Sequence, residues 1–410
     1  MTTFDDWPQQ AEALRAELVA TGKLHSPAVQ QAIVSTPRHV FVPRFYVRSR
    51  QGWIPVQCGD AATHQRWRTS IYRNHSLVTQ LGDVAVGSRD TTGPTSSSSA
   101  PGLMTRMIEQ LDVRRGHRVL EIGTGTGWNA ALLSRLVGDD NVSSIDVDHD
   151  LVDTARRHLN QLDLHPRLVT GDGFEGLPAH APYDRFMATC ATSWVPAAWV
   201  EQLAPRGRLL VDLKIHAAAG NLVLLTRDGD QTRGRFDTGA ATFMHMRSPA
   251  FDQPWHGYTP RDRASATHSR TTSRAERLWE NPVLWFLIHL HEPGRLNFGY
   301  CQDPDTGGPG DVYFTSPDGS WCELSNATTA TREVREGGPR RLWAQLDDIT
   351  THWHSLGSPG WDRLGLTITD GNQFVWLDHP HSDVTWALPR TSTLQRPATA
   401  AMSASDRRSA

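Results

Sequence analysis

The chain has 410 residues, too many for one compact core, so its length predicts two domains. Its 41 basic and 44 acidic side chains leave a formal charge of −3, which speaks against nucleic acid or an anionic membrane as a partner. No apolar run approaches the roughly 20 residues of a membrane-crossing helix; the opening MTTFDDWPQQ lacks a basic segment followed by an apolar core, so a cytoplasmic protein is expected.

In chain order, WPQQAEALRAELVATGKL places Ala11, Leu14, Leu18 and Val19 at helical spacing and predicts an amphipathic helix. A second short helix is expected from Pro27 to Val34, with Ser26 as N-cap and Pro27 at the first position. TPRHVFVPRFY then turns the chain with two prolines. From Arg48 to Ser99 the sequence is polar and rich in Gly and Thr, and reads as loops with short strands such as Ser76 to Thr79. Within it, PTSSSSAPGLM (Pro94 to Met104) has the composition of a flexible spacer.

From Met104 onward strands and helices alternate. RVLEIG, VSSIDVD, RLVTGDG, YDRFMATC and GRLLVDL read as strands, with WNAALLSRLVG, HDLVDTARRHLNQLDL and AAWVEQLAP as helices among them. NLVLLTR and TRGRFDT, split by DGD, form a terminal hairpin. The alternation predicts an α/β fold: a mostly parallel, doubly wound sheet of seven strands with an antiparallel hairpin at its edge.

Beyond about Met246 the pattern stops. Residues 248–276, rich in Pro, Ser, Thr and Arg, read as a linker, and residues 277–390 as a smaller α+β domain. That unit holds the apolar helix PVLWFLIHLH, a hairpin turning at Pro317–Gly319, the helix RRLWAQLDDITTHWHSLG, and two strands joined at Gly371–Asn372. Residues 391–410 read as a disordered tail. Nine of the 15 tryptophans lie from Trp255 onward, a distribution that fits core packing or a peptide-contacting surface. Cys58, Cys190, Cys301 and Cys322 lie far apart without a CxxC pair, as expected of reduced thiols. The pairs His289/His291 and His352/His354 fall in helical segments, where i and i+2 do not share a face, so no metal site is expected.

The chemistry concentrates at LEIGTGTGWNA. Gly123, Gly125 and Gly127, with Thr124 and Thr126 between them, follow an apolar strand and open a helix, so a ligand can approach both the backbone and the helix N-terminus. Asp146 closes the second strand 19 positions after Gly127, beside Val147, where a carboxylate accepts both ribose hydroxyls. Asp172 and Gly173 end the third strand, where an Asp reaches an adenine amino group. Together with Glu121 ahead of the first glycine, these features resemble class I S-adenosyl-L-methionine-dependent methyltransferases, which have a Rossmann-like sheet. The resemblance implies S-adenosyl-L-methionine as cofactor and S-adenosyl-L-homocysteine as product. A nicotinamide site would more often show G-x-G-x-x-G, and position 128 is Trp.

From about Ala11 to Arg247 the chain resembles the protein-L-isoaspartate O-methyltransferases, through TPRHVFVPRFY, SSAPGLMTRMIEQL, VLEIGTGTGWNAALL, GDGFEGLPAHAPYDRFMATCA and LAPRGRLLVDL. In that family a Ser ahead of a Pro contacts the substrate carboxylate. The matching residue is Ser99, followed by Ala100 and Pro101, with Ser97 and Ser98 as neighbours that share the loop. A carboxylate is already a nucleophile at neutral pH, so the residues need only orient and desolvate it.

Two departures bear on the substrate. The chain continues well past the terminal hairpin; the region from Phe45 to Ser96 is longer and different, and the family's usual PVG after the fifth strand is VDL here. The stretches VPRHxFVPRFY, SLVTQ, PTSSSS and SIDVD resemble an actinobacterial branch that accompanies ribosomally made, modified peptides. That resemblance implies a crosslinked precursor peptide as substrate and an ATP-grasp ligase in the same pathway (graspetides, with lanthipeptides second). The reaction it implies is methylation of an L-aspartate within a macrocycle, leading to an aspartimide; the alternative is repair of damaged proteins. A peptide-binding escort that kept the fold is a non-enzymatic alternative, against which Gly123, Gly125, Asp146 and Asp172 speak. The expected organisation is a catalytic domain over 1–247, the linker, the C-terminal recognition domain and the tail.

Overall fold

A computed structural model describes residues 4–86, 89–216, 218–249, 266–274, 276–291, 296–303, 307–326 and 331–388. The N-terminal residues form α1 (Trp7–Ala20), α2 (Pro27–Ser35) and the single turn α3 (Arg38–Phe41). Proline opens both longer helices, where its missing N–H costs nothing.

The stretch expected to be loops is a four-stranded antiparallel sheet. β1 (Arg44–Ser49), β2 (Gly52–Gln57), β3 (Leu77–Val86) and β4 (Arg89–Ser98) lie in the order β2-β1-β3-β4, with α4 (His64–Ile71) between β2 and β3. The serines therefore do not form a flexible spacer: Ser96, Ser97 and Ser98 end β4, opposite Gln80, Val78 and Leu77. α5 (Pro101–Gln110) follows at once.

The alternating region forms β5 (Val119–Ile122), α6 (Trp128–Val137), β6 (Val142–Asp146), α7 (His149–Asn160), β7 (Arg167–Thr170), β8 (Tyr183–Thr192), α8 (Ala197–Glu201), β9 (Leu203–His216), β10 (Ala219–Asp228) and β11 (Gln231–Phe236). β7-β6-β5-β8-β9 run parallel, and β10 and β11 add antiparallel, as the sequence predicts. Alternate residues divide between the faces. Leu120, Phe186 and Leu209 enter one apolar core; Val119, Met187 and Leu210 enter the other, with α1, α2, α5 and α6.

The C-terminal residues form β12 (Ala266–Thr272), α9 (Pro282–His291), β13 (Asn297–Gln302), β14 (Pro309–Thr315), β15 (Trp321–Leu324), β16 (Arg332–Gly337), α10 (Leu342–Ser355), β17 (Leu364–Thr369), β18 (Asn372–Leu377) and β19 (Thr385–Ala387). They are not the detached unit expected from the sequence. β17 pairs with β11, so the central sheet runs to ten strands, ending β11-β17-β18-β19. The reason is that β11 left alone would be an open edge next to an apolar face. β12, inside the expected linker, pairs with β16 in a five-stranded sheet; residues 250–265 of that linker and the expected tail lie outside the described residues. α9 is apolar all round because it is covered on both sides: Phe286 lies 5.4 Å from Phe236 of β11, and Trp285 lies 5.8 Å from Phe298 of β13. The C-terminal tryptophans largely divide between such packing and other buried positions, with Trp321, Trp343 and Trp376 almost fully buried.

All four cysteines are free, no metal-ligating cluster occurs among the described residues, and no helix among them is long and apolar enough to cross a membrane.

Candidate active site

A cavity of about 920 Å³ opens at the C-terminal ends of β5 and β6. This is where a doubly wound sheet leaves its crevice. Gly123, Thr124, Gly125, Thr126, Asp146, Val147 and Gly173 line it from below, and Ser96 to Ser99 of the serine strand line it from above.

Gly123 and Gly125 hold φ of 96° and 51°, a region that costs a side-chain-bearing residue strain. The N–H of Gly125 donates to Asp146 Oδ2 at 2.9 Å, and the N–H of Asp148 to Asp146 Oδ1 at 3.1 Å, so the carboxylate is aimed before any ligand arrives. Burial pushes this carboxyl upward, and those two N–H groups pull the other way. A Cβ on Gly125 would project into the gap, 3.6 Å from Ser96 Oγ. A half-buried glycine backbone bordering the cavity beside the Asp146 carboxylate fits a ribose-bearing ligand.

Several predicted cofactor residues also brace the cavity, and Glu121 and Thr124 border it themselves. Glu121 is buried: its Oε1 accepts from Asn129 Nδ2 at 2.7 Å and its Oε2 from Ser144 Oγ at 2.6 Å, fastening β5 to α6 and β6. Burial raises it to about 7. Thr124 Oγ1 joins the same knot, 2.7 Å from Ser144 Oγ. Gly127 is a packing residue, since a Cβ there would sit 2.9 Å from Ala155 Cβ on α7. Asp172 departs from expectation and stands off the lining. Its Oδ1 accepts from Phe174 N–H at 3.0 Å and its Oδ2 from Ser248 Oγ at 2.5 Å, because the turn after β7 uses it as a cap.

The three serines are not equivalent. Ser98 is buried, and its hydroxyl accepts from Arg38 Nη2 at 3.3 Å. Ser97, opposite Val78, and Ser99, just ahead of α5, are half-buried, and all three border the cavity. Arg38 was not singled out from the sequence, although it lies within TPRHVFVPRFY. Fully buried, its guanidinium donates to the carbonyls of Ile71 at 2.9 Å, Arg73 at 3.1 Å, His75 at 3.2 Å and Ser99 at 3.0 Å. It thus ties the end of β4 to the loop before β3. Asn74, from that loop, accepts the N–H of Gly102 at 2.8 Å.

Lys214 is an unforeseen residue of the cavity lining. It replaces nothing in the glycine turn but holds the cavity's far wall, donating to Thr242 Oγ1 at 3.2 Å and to the Phe243 carbonyl. Asp212 beside it accepts the Phe243 N–H at 2.8 Å and is raised to about 6 by burial, against the pull of Lys214.

The family model for protein-L-isoaspartate(D-aspartate) O-methyltransferase matches residues 9–246. The chain belongs to this methyltransferase family. The protein-L-isoaspartate O-methyltransferase of Methanopyrus kandleri is 31% identical over 252 residues, covering 59% of this chain and 94% of its own. That of Pyrococcus horikoshii is 30% identical over 209 residues, covering 51% and 77%. A solved protein-L-isoaspartate O-methyltransferase aligns with a TM-score of 0.50 at 20% identity, covering 90% of this chain and 100% of that one. That likeness in fold reaches into the C-terminal residues, so length beyond the terminal hairpin does not by itself set this chain apart. As a member of the family it is an S-adenosyl-L-methionine-dependent carboxyl O-methyltransferase with the class I fold. Gly123, Gly125, Asp146 and Val147 are the residues that would hold the cofactor, which supplies an electrophilic methyl group on a sulfonium.

Proposed function

We propose that this methyltransferase esterifies the side-chain carboxylate of an L-aspartate in a macrocyclised ribosomal peptide, and that the ester closes to an aspartimide. The supporting observation is a hydrogen-bonded chain at the cavity rim. Thr95 Oγ1 donates to Gln80 Oε1 at 2.8 Å, and Gln80 Nε2 donates to Asp148 Oδ2 at 2.9 Å. These residues come from PTSSSS, SLVTQ and SIDVD, the stretches in which the chain resembles the peptide-maturation branch. A crosslinked precursor as substrate and an ATP-grasp ligase in the pathway belong to the same proposal.

Ser97 and Ser99 hold one oxygen of the acceptor carboxylate by neutral donors, which leaves the other nucleophilic. The serine strand and the wall from Thr242 to Met246 exclude water, so the carboxylate loses the solvation that blunts it. In the second step the next backbone nitrogen attacks the ester carbonyl. A C–N bond forms, the C–OCH₃ bond breaks, and the methoxy group leaves as methanol with the amide proton. A carboxylate resists that attack; its methyl ester does not.

The names of the relatives favour a second reading, repair of isoaspartyl residues in damaged proteins. Mass spectrometry separates the two. A cyclised aspartyl peptide that gains one CH₂ and then shows a net loss of one water supports the first. A gain of CH₂ confined to isoaspartyl peptides overturns it in favour of repair.

A further inference from the structure

We propose that the outer face of the four-stranded sheet is a docking surface for an acidic segment of the peptide substrate, engaged while the acceptor carboxylate occupies the cavity. This deepens the peptide-methylation reading and rests on it. The register of the sheet carries the argument. Pro55 lies opposite Tyr46, Tyr46 opposite Val78, and Val78 opposite Ser97, a single row across all four strands. Directly opposed residues share a face. Val78 and Ser97 line the cavity, so the same face continues outward from the cavity wall to Tyr46 and Pro55.

Two residues either side of Tyr46 on that face are Arg44 and Arg48, both exposed, with Trp53 opposite Arg48. The other face is apolar: Phe45 and its partner Val56 are buried in the core at 2% and 1% exposure. The Arg48 guanidinium sits 5.3 Å from the Trp53 ring centroid, and that of Arg44 sits 5.5 Å from Tyr46. Aromatic contacts hold each fork in place while leaving its donors open. Neither arginine forms an ion pair among the described residues, whereas Arg68 is paired with Asp6 and Arg247 with Asp148. Two unneutralised guanidinium groups thus flank the far part of a row that begins in the cavity. Two strand spacings of about 4.8 Å separate Ser97 from Tyr46. Roughly three to four extended residues of a peptide span that gap and bring the next acidic side chains onto Arg44 and Arg48. The two open guanidinium groups complement carboxylates, and a face continuous with a cavity that takes a peptide's carboxylate favours an acidic stretch of that same peptide as its occupant.

The test is fluorescence anisotropy on the full chain with two fluorescein-labelled peptides. Both carry one aspartate; a run of glutamates follows it at that spacing in the first, and glutamines stand in those places in the second. The chain binds the glutamate peptide more tightly, and added salt erases the preference. Arg44→Gln/Arg48→Gln weakens the glutamate peptide about tenfold and leaves the glutamine peptide unchanged, while Arg44→Lys/Arg48→Lys, which keeps the charge, retains most of the preference. Equal binding of both peptides by the unaltered chain overturns the proposal. So does a glutamine variant that weakens both alike, or a single-stranded oligonucleotide that binds this face more tightly than the glutamate peptide. Methyl transfer is not read here, so failure leaves the methylation reading intact, and a failed methylation assay leaves the binding result standing.

Discussion

Ser97, Ser98 and Ser99 are chemically identical neighbours with different tasks, because a strand sends successive side chains to opposite faces. Ser97 and Ser98 both border the cavity, but Ser98 is buried and its hydroxyl accepts from Arg38, whereas Ser97 is half-buried. Ser98→Ala should therefore cost about 1 kcal/mol of stability in urea unfolding. Ser97→Ala and Ser99→Ala should leave the unfolding midpoint in place and lower kcat/KM about tenfold or more in initial-rate assays. Glu121 makes a second prediction. Its carboxyl titrates near 7 in the folded chain against an ordinary 4.5. The folded state keeps this proton where the unfolded chain has lost it, so this group's contribution to stability falls as pH rises from about 4.5 to about 7 and is flat on either side. Asp212, raised to about 6, acts in the same direction. The difference in Tm between Glu121→Gln and the unaltered chain should shift in favour of the variant across that window, read by thermal melts at stepped pH.

At the scale of elements, the glycine turn works through the helix it starts. Gly127 has φ of 86°, and a Cβ there would meet Ala155 Cβ at 2.9 Å, so α6 begins only because α7 can lie against it. Gly127→Ala should destabilise the protein by about 2 kcal/mol, from left-handed strain plus overlap. Adding Ala155→Gly should recover the overlap part and not the strain, a partial rescue visible in a double-mutant cycle. The doubly wound core was legible in the sequence because its strands are continuous apolar runs punctuated by helices. The four-stranded sheet was not. RDTTGPTSSS has no apolar alternation, and it becomes a strand only because β3 offers it a ladder of hydrogen bonds. The signal that could have found Arg38 was its position between two prolines in a motif already noted, but an Arg in a short turn is usually solvated.

Over the whole molecule, the apolar core on one side of the central sheet is shared. Phe236 of β11, Phe286 of α9 and Trp361 before β17 pack together, with ring centroids 5.1 to 5.4 Å apart. The chain should unfold in a single calorimetric transition, and truncation after residue 247 should lower Tm and cause aggregation by opening β11 as an edge. Two separate transitions would restore the two-domain picture.

Local pattern alone determined the parallel sheet, its terminal hairpin, the glycine turn and the placing of Asp146, since each depends on period and on residues close in sequence. It also placed the serines beside the cofactor strand. Only the tertiary structure decided which serine is buried against Arg38, that Glu121 is tied to Asn129 and Ser144 while Gly127 packs on Ala155, and that β17 to β19 extend the central sheet. Those outcomes depend on partners far along the chain, such as Arg38 for Ser98 and Gly365 for Arg235, and on whether an edge strand finds cover.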